Sequence, residues 1–154
     1  MPNYPTDPDC IFCKIVAGEI PCHRLYEDEH VLAFLDVQPL SAGHSLVIPK
    51  GHYQAVEQMP DEVGAAIGRC LPKLGRAILE ATGSTDWNIL QNNGEPAGQE
   101  VMHVHFHLIP RAAGTDLREP IPGNGLPKRA WPAVQVDHDE AGKLAEMITD
   151  YFGS

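Results

Sequence analysis

The sequence predicts an α+β fold, a largely antiparallel sheet of about five strands carrying one main helix and a C-terminal helix. Three observations predict it. Short apolar and β-branched runs bounded by Gly- and Pro-containing turns recur, as in "HVLAFLDVQ" (30–38) and "HSLVIP" (44–49). One long stretch, 60–82, repeats its apolar residues at steps of three and four. No internal repeat, low-complexity tract or linker divides the 154 residues, so 1–154 reads as a single domain.

The two runs flank "PLSAG" and form two strands joined by a short loop, in antiparallel pairing. In 60–82, Val63, Ile67, Cys70, Leu71, Leu74 and Ile78 share one helical face. Pro60 suits the first helical position, Asp61 and Glu62 the first turn, and Gly83 the stop. Pro72 lies inside the pattern and should kink the helix or split it. Residues 87–91 form a short strand, followed by the turn-rich loop "NNGEPAGQE" (92–100) and a strand in "MHVHFHLIPR" (102–111). Residues 112–136 are rich in Gly and Pro and should wrap the surface without regular structure. A last helix covers 138–152, with Asp137 as its cap, Glu140 three residues on, and Leu144, Ile148, Tyr151 and Phe152 on its apolar face.

Composition narrows the function. Hydrophobic content of 43% and charged content of 21% are those of an ordinary soluble protein. The formal net charge of -10 opposes nucleic acid as a partner, although a few N–H groups and imidazoles still suffice for a small anion. "MPNYPTDPDC" has neither a basic nor an apolar signal region, and no apolar run reaches spanning length, so the expectation is a cytoplasmic protein with no membrane partner. A reducing compartment argues against reading the four cysteines as a disulfide framework.

In a strand over 102–108, His103, His105 and His107 line one face, each ~7 Å from the next, while Met102, Val104, Phe106 and Leu108 line the other and pack on the helix. Facing imidazoles bind a metal, bind an anion, or supply a nucleophile and a proton donor. Gly94 and Gly98 in the preceding loop let backbone N–H groups approach a phosphate. Cys10 and Cys13 have a spacing that suits two thiolates on one zinc, with a redox pair as the rival.

"GQEVMHVHFHLIPR", together with "CIFCKIVAGEIP" (10–21), "VLAFLDVQPLSAGHSLVIPKGH" (31–52) and "NNGEPAGQ" (92–99), resembles the histidine-triad (HIT) family in order and spacing. The resemblance covers 10–111; 112–154 reads as a less diagnostic extension. It implies an enzyme that binds purine nucleoside phosphates and transfers the nucleotidyl group through a covalent histidine intermediate. Nucleoside 5′-phosphoramidates or dinucleoside polyphosphates are the implied substrates. By motif position His105 is the nucleophile, His107 contacts the phosphate and acts as acid on the leaving group, and His44 supports the site. Asp36, with Val37 beside it, matches the ribose position; Asn92, Gly98, Gln99 and Val101 match the phosphate loop. Glu100 departs from the Ser or Thr of several relatives, and its charge would repel a phosphate unless it points away. The resemblance also implies a structural zinc on Cys10, Cys13, His52 and His103, and a homodimer that continues the sheet between subunits. Polyphosphate substrates would be helped by Mg²⁺, since only scattered cations such as Lys50 and Arg111 are present, which favours small leaving groups. Cys70 is expected in the core, and Trp131 is an aromatic suited to an interface. Two other classes stay open: a nucleotide-binding regulatory protein with little turnover, and a zinc-built nucleic-acid module, which the charge disfavours.

Overall fold

The computed structural model describes residues 3–113 and 137–153. Helix α1 (Ile11–Val16) precedes strands β1 (Arg24–Glu27), β2 (Val31–Leu35) and β3 (Ser45–Pro49). Helix α2 (Asp61–Thr82), strands β4 (Asp86–Gln91) and β5 (Phe106–Arg111), and helix α3 (His138–Gly153) follow. The strands form one sheet in the order β1-β2-β3-β5-β4, and every neighbouring pair is antiparallel. The expected fold class is the one observed. The predicted behaviour of 112–136, for residues 114–136, and the role of Trp131 fall outside the described residues.

All five residues of β2 are buried, because both faces of the sheet are covered. Val31, Ala33 and Leu35 join Val47 and Leu108 against Ile67, Leu74 and Ile78 of α2 and Ile148 of α3. Leu32 and Phe34 face the other way, with Leu46 and Ile48, against Phe12, Cys13 and Ile15 of α1. Cys70 lies in the first core, as the sequence predicts.

Helix α2 runs unbroken through Pro72, so the predicted split does not occur. A mid-helix proline costs ~3 kcal/mol. Burial of Ile67, Leu74 and Ile78 contributes about 1.5–3 kcal/mol apiece and outweighs it. Pro72 and Gly68 are both exposed, so the carbonyl deprived of its partner lies on the solvent side. Pro60 is the N-cap, one residue before its predicted place, and Gly83 ends the helix at φ 72°. At α3, Asp137 Oδ1 accepts from the N–H groups of Asp139 and Glu140, as a cap should.

Two elements depart from the sequence reading. β1 was not expected; it is four residues long, with an irregular register between Arg24 and Tyr26. The turn that folds it onto β2 has a visible signal in Asp28, whose Oδ1 accepts from His30 and Val31 N–H at 2.8 Å each. The histidine strand also starts later than expected, at Phe106, which leaves His103 and His105 ahead of it. Pro49 is the cause. It ends β3 without an N–H to extend the ladder past Val47↔Phe106. Val104 N–H turns instead to Tyr53 O at 2.8 Å. The predicted division of faces still holds where β5 is regular: Phe106 and Leu108 pack toward α2, and His107 sits opposite Leu46 on the α1 side.

Candidate functional site

The hairpin of β2 and β3 closes through Asp36 N–H to His44 O at 2.9 Å, which sets Asp36 just after one strand and His44 just before the next. β5 pairs with β3 and brings His107 to His44, with ring centroids 5.2 Å apart. His105 stands 5.0 Å from His107 by the same measure, closer than the strand repeat. Phe12 of α1 meets His103 at 5.7 Å and His105 at 5.2 Å, edge to face, so the short helix after Cys10 fixes both rings from one side.

Backbone groups assign the ring protons. His105 Nδ1 lies 2.8 Å from His103 O; a carbonyl only accepts, so Nδ1 carries the proton and Nε2 keeps its lone pair. His103 Nε2 donates to Pro49 O at 2.9 Å, which leaves the His103 lone pair on Nδ1. Leu40 N–H donates to His44 Nδ1 at 2.9 Å, so His44 carries its proton on Nε2. That proton is donated to His107 Nδ1 at 3.0 Å, and His107 in turn is protonated on Nε2. Four imidazoles thus have defined tautomers.

This logic holds for neutral rings, and burial makes them neutral. His44 and His107 are each pushed down to about 3, first by burial; a neighbouring imidazole adds to it. His103 falls to about 4 for the same leading reason. Burial also lowers His105, against its bond to His103 O and the charges of Asp36 and Glu100. Asp36 Oδ2 lies 3.4 Å from His44 Nε2 and 4.0 Å from His107 Nδ1, and burial raises its carboxyl. With both rings neutral these contacts are polar rather than ionic.

The phosphate-type loop is built from the inside. Gly94 and Gly98 have φ of 92° and 99°, open to glycine and strained for other residues. Gln99 is fully buried; its Oε1 accepts from Gly94 N–H at 2.7 Å, and its Nε2 donates to the carbonyls of Gln54 and Val101. The Gln99 side chain therefore holds the loop, whose N–H groups at Gly94, Ala97, Gly98 and Gln99 all bond within it, so the expected approach of free N–H groups at Gly94 and Gly98 to a phosphate is not what the loop presents. Asn92 Nδ2 donates to Gly98 O at 3.4 Å, and Asn92 follows Gln91, the β4 partner of Phe106, which sets it one step from His105 in register. Val101 packs beside α1, whereas Val37 is 61% exposed next to Asp36.

A second cluster lies behind His105. Cys10 Sγ is 3.4 Å from His103 Nδ1, and Cys13 Sγ is 3.5 Å from His52 Nδ1 and 3.7 Å from His103 Nδ1. A tetrahedral zinc with ordinary bond lengths sets sulfur and nitrogen ~3.6 Å apart, so the donor set fits that ion. The lone pair of His103 is turned to it by Pro49 O. Burial pushes the Cys13 thiol up to about 11, and a bound cation is what would favour its thiolate. The CxxC does open a helix, with Cys10 as the N-cap of α1. All four ligand atoms lie within 4.8 Å of one another, as do those of Asp36, His44 and His107. The latter trio is unsuited to a metal, because His44 Nε2 bears the ring proton as long as Leu40 N–H occupies Nδ1.

Residue patterns alone did not reveal Phe12 as the wedge, nor the backbone groups of Leu40, Pro49 and His103 that set the tautomers. Phe12 had a signal, its place between the two cysteines; a backbone donor has none.

Residues 17–114 match the HIT domain. The Arabidopsis thaliana protein named adenylylsulfatase HINT3 is 53% identical over 103 residues, 67% of this chain and 52% of that protein, so the chain spans about half of this relative's length. The Saccharomyces cerevisiae protein named adenosine 5′-monophosphoramidase HNT1 is 41% identical over 149 residues, 96% of this chain and 86% of that one. A zinc-bound histidine triad family protein from Mycobacterium smegmatis has a similar structure, with TM-score 0.75 and 32% identity over 94% of each chain.

Proposed function

This chain belongs to the HIT family, and on that premise we propose that it is a purine nucleotide hydrolase or nucleotidyl transferase that works through a covalent nucleotidyl-histidine. The observation that carries the reading is the 2.8 Å bond from His105 Nδ1 to His103 O, which leaves a neutral Nε2 lone pair on a ring held by its neighbours. That nitrogen attacks the α-phosphorus; the bond from phosphorus to the leaving atom breaks, and its electron pair departs on that atom. His107 Nε2–H donates a hydrogen bond to the leaving atom, and water supplies the proton that atom takes, since a neutral imidazole that gave up its single ring proton would be left an anion. The hydroxide so formed then attacks the phosphorus, and the bond to Nε2 breaks with its electron pair returning to His105. His44 is a positioning residue, since its Nε2–H holds His107 in the tautomer that donates. Asp36, with Val37, takes the ribose hydroxyls, and the loop of Asn92, Gly98, Gln99 and Val101 lies on the phosphate side.

The substrate is a purine nucleoside 5′-phosphate derivative. The names of the relatives divide between an adenylylsulfatase and a monophosphoramidase, so at this level the leaving group is sulfate, an amine or, with Mg²⁺, a nucleoside polyphosphate. Zinc on Cys10, Cys13, His52 and His103 supplies a closed structural cross-link when bound. The outer edge of β4, which pairs with no further strand among the described residues and where Ile89 is 48% exposed, supports a homodimer that extends the sheet. Burial of Ile148 in the main core supports one domain over 1–154, and four free cysteines fit a reducing cytoplasm.

The test is mass spectrometry of protein mixed with adenosine 5′-phosphoramidate and quenched without acid, wild type beside His105→Ala. An adenylyl adduct on the wild type alone, with release of AMP, is expected. No adduct and no AMP from this substrate or from a dinucleoside polyphosphate, with AMP still bound, would replace the reading with a regulatory nucleotide-binding protein.

A further inference from the structure

The two histidines of the cysteine cluster face one requirement and meet it by different means. His103 turns Nδ1 to the sulfurs because its Nε2 donates to Pro49 O at 2.9 Å. His52 also presents Nδ1, 3.5 Å from Cys13 Sγ, so when that nitrogen binds an ion the ring proton lies on Nε2. The carboxylate facing Nε2 is Asp7, whose Oδ2 lies 3.9 Å from it. The segment that carries Asp7 is tied down along its length. Tyr4 OH donates to Glu29 O and lies 3.0 Å from His30 Nδ1. Pro5 O accepts from His52 N–H at 2.7 Å, and Asp7 O accepts from Cys10 N–H at 3.1 Å. Asp7 Oδ1 is used locally, accepting from Asp9 N–H at 2.8 Å, which leaves Oδ2 for His52. Cys10, Cys13 and His103 are buried, whereas His52 is half-buried, and residues 4–9 lie against it.

We infer that Asp7 is a positioning residue for the metal: its carboxylate accepts the Nε2 proton of His52 and so aims the Nδ1 lone pair at the ion. The inference rests on the reading of a zinc held by Cys10, Cys13, His52 and His103. A separation of 3.9 Å is longer than a hydrogen bond, and a small turn of the half-exposed Asp7 side chain closes it. An imidazole that donates to an anion becomes a stronger electron-pair donor and keeps its ring orientation. At His103 a neutral carbonyl does this inside the core, where water does not compete. On the wetter side, at His52, a charged acceptor holds the proton better than a neutral one would.

The experiment is competition for zinc between the full chain and a chromophoric chelator, with wild type, Asp7→Asn and Asp9→Asn side by side. Asp7→Asn keeps an oxygen for Asp9 N–H and removes the anion. Asp9→Asn removes an equal charge from a carboxylate that has no partner among the described residues. The zinc affinity of Asp7→Asn falls about tenfold, the lower end of what loss of such a partner costs, while Asp9→Asn stays close to wild type. Cobalt in place of zinc shows visible bands that move in Asp7→Asn alone, and the urea midpoint of the zinc-free protein is the same in all three. An unchanged affinity in Asp7→Asn, or an equal loss in Asp9→Asn, overturns the role of Asp7 while the metal reading stands. A zinc-free midpoint that falls along with the affinity also overturns it, since Asp7 would then serve the fold rather than the ion. A wild type that binds no zinc overturns both.

Discussion

The ring proton of His44 lies on Nε2, 3.0 Å from His107 Nδ1 and 3.4 Å from Asp36 Oδ2. Leu40 N–H fills Nδ1, so Nε2–H points at His107 and obliges that ring to carry its own proton on the far nitrogen. His44→Leu removes this instruction, and with it the contact to Asp36 Oδ2, without touching His105. His107 then populates both tautomers, and the N–H that faces the leaving group is present only part of the time. We expect kcat to fall about 10- to 100-fold, within the range of one misplaced acid–base group, while the Kd for AMP changes little. His44→Gln, whose amide N–H can donate in the same direction, should recover much of the loss; rapid-quench rates beside calorimetric AMP binding check both. At this scale the sequence was most informative about side chains with chemistry of their own. His44, His105, His107 and Asp36 come together as the motif spacing implies, as do the two cysteines with His52 and His103. What it hid were main-chain partners, because the carbonyls of Pro49 and His103 bear no mark in a string of side chains.

At the scale of elements, α2 and β4 approach so closely at Gly75 that a side chain has no room. A Cβ placed there would lie 2.6 Å from the Trp87 indole. Gly75→Ala must therefore push Trp87, and with it the edge strand, away from the helix. Overpacking of this kind costs about 1–3 kcal/mol, and the gain in helix propensity, ~1 kcal/mol, does not offset the upper part of that range. Urea denaturation should show a lower midpoint, and Gly75→Ala/Trp87→Phe should recover stability because the smaller ring frees the space. Long periodic segments were legible for the reason that they pack on one face: α2, α3 and the pair β2–β3 lie where their patterns put them. β1 was too short and irregular to announce itself, with only Leu25 of its four residues buried. The late start of β5 depends on Pro49, a residue 57 positions before Phe106, and no local pattern carries that.

Across the whole molecule, the histidines couple folding to acidity. His44 and His107 stay neutral in the fold down to about 3, whereas an unfolded histidine takes a proton near ~6.5. Between those values the unfolded chain binds more protons than the native one, so stability rises with pH. The contribution is complete above ~6.5 and is lost as pH falls below it, each ring giving up to about 1.4 kcal/mol per pH unit. Two groups act differently at lower pH. Glu27, held below its usual range chiefly by its bond to Lys50, adds acid sensitivity only near the carboxylate range. Asp36, raised by burial, opposes the trend, since protonating it in the fold relieves its desolvation as pH falls toward that raised value. The interval from pH 7 to 5.5 is therefore governed mainly by the rings. Urea midpoints across it should correspond to a loss of about 1–3 kcal/mol. In His44→Gln/His107→Gln the slope should fall to roughly half, because neither replacement titrates while His103 and His105, also lowered by burial, still do. An equal slope in wild type and double variant would place the acid sensitivity elsewhere, and the neutral, tautomer-fixed site would lose its thermodynamic support.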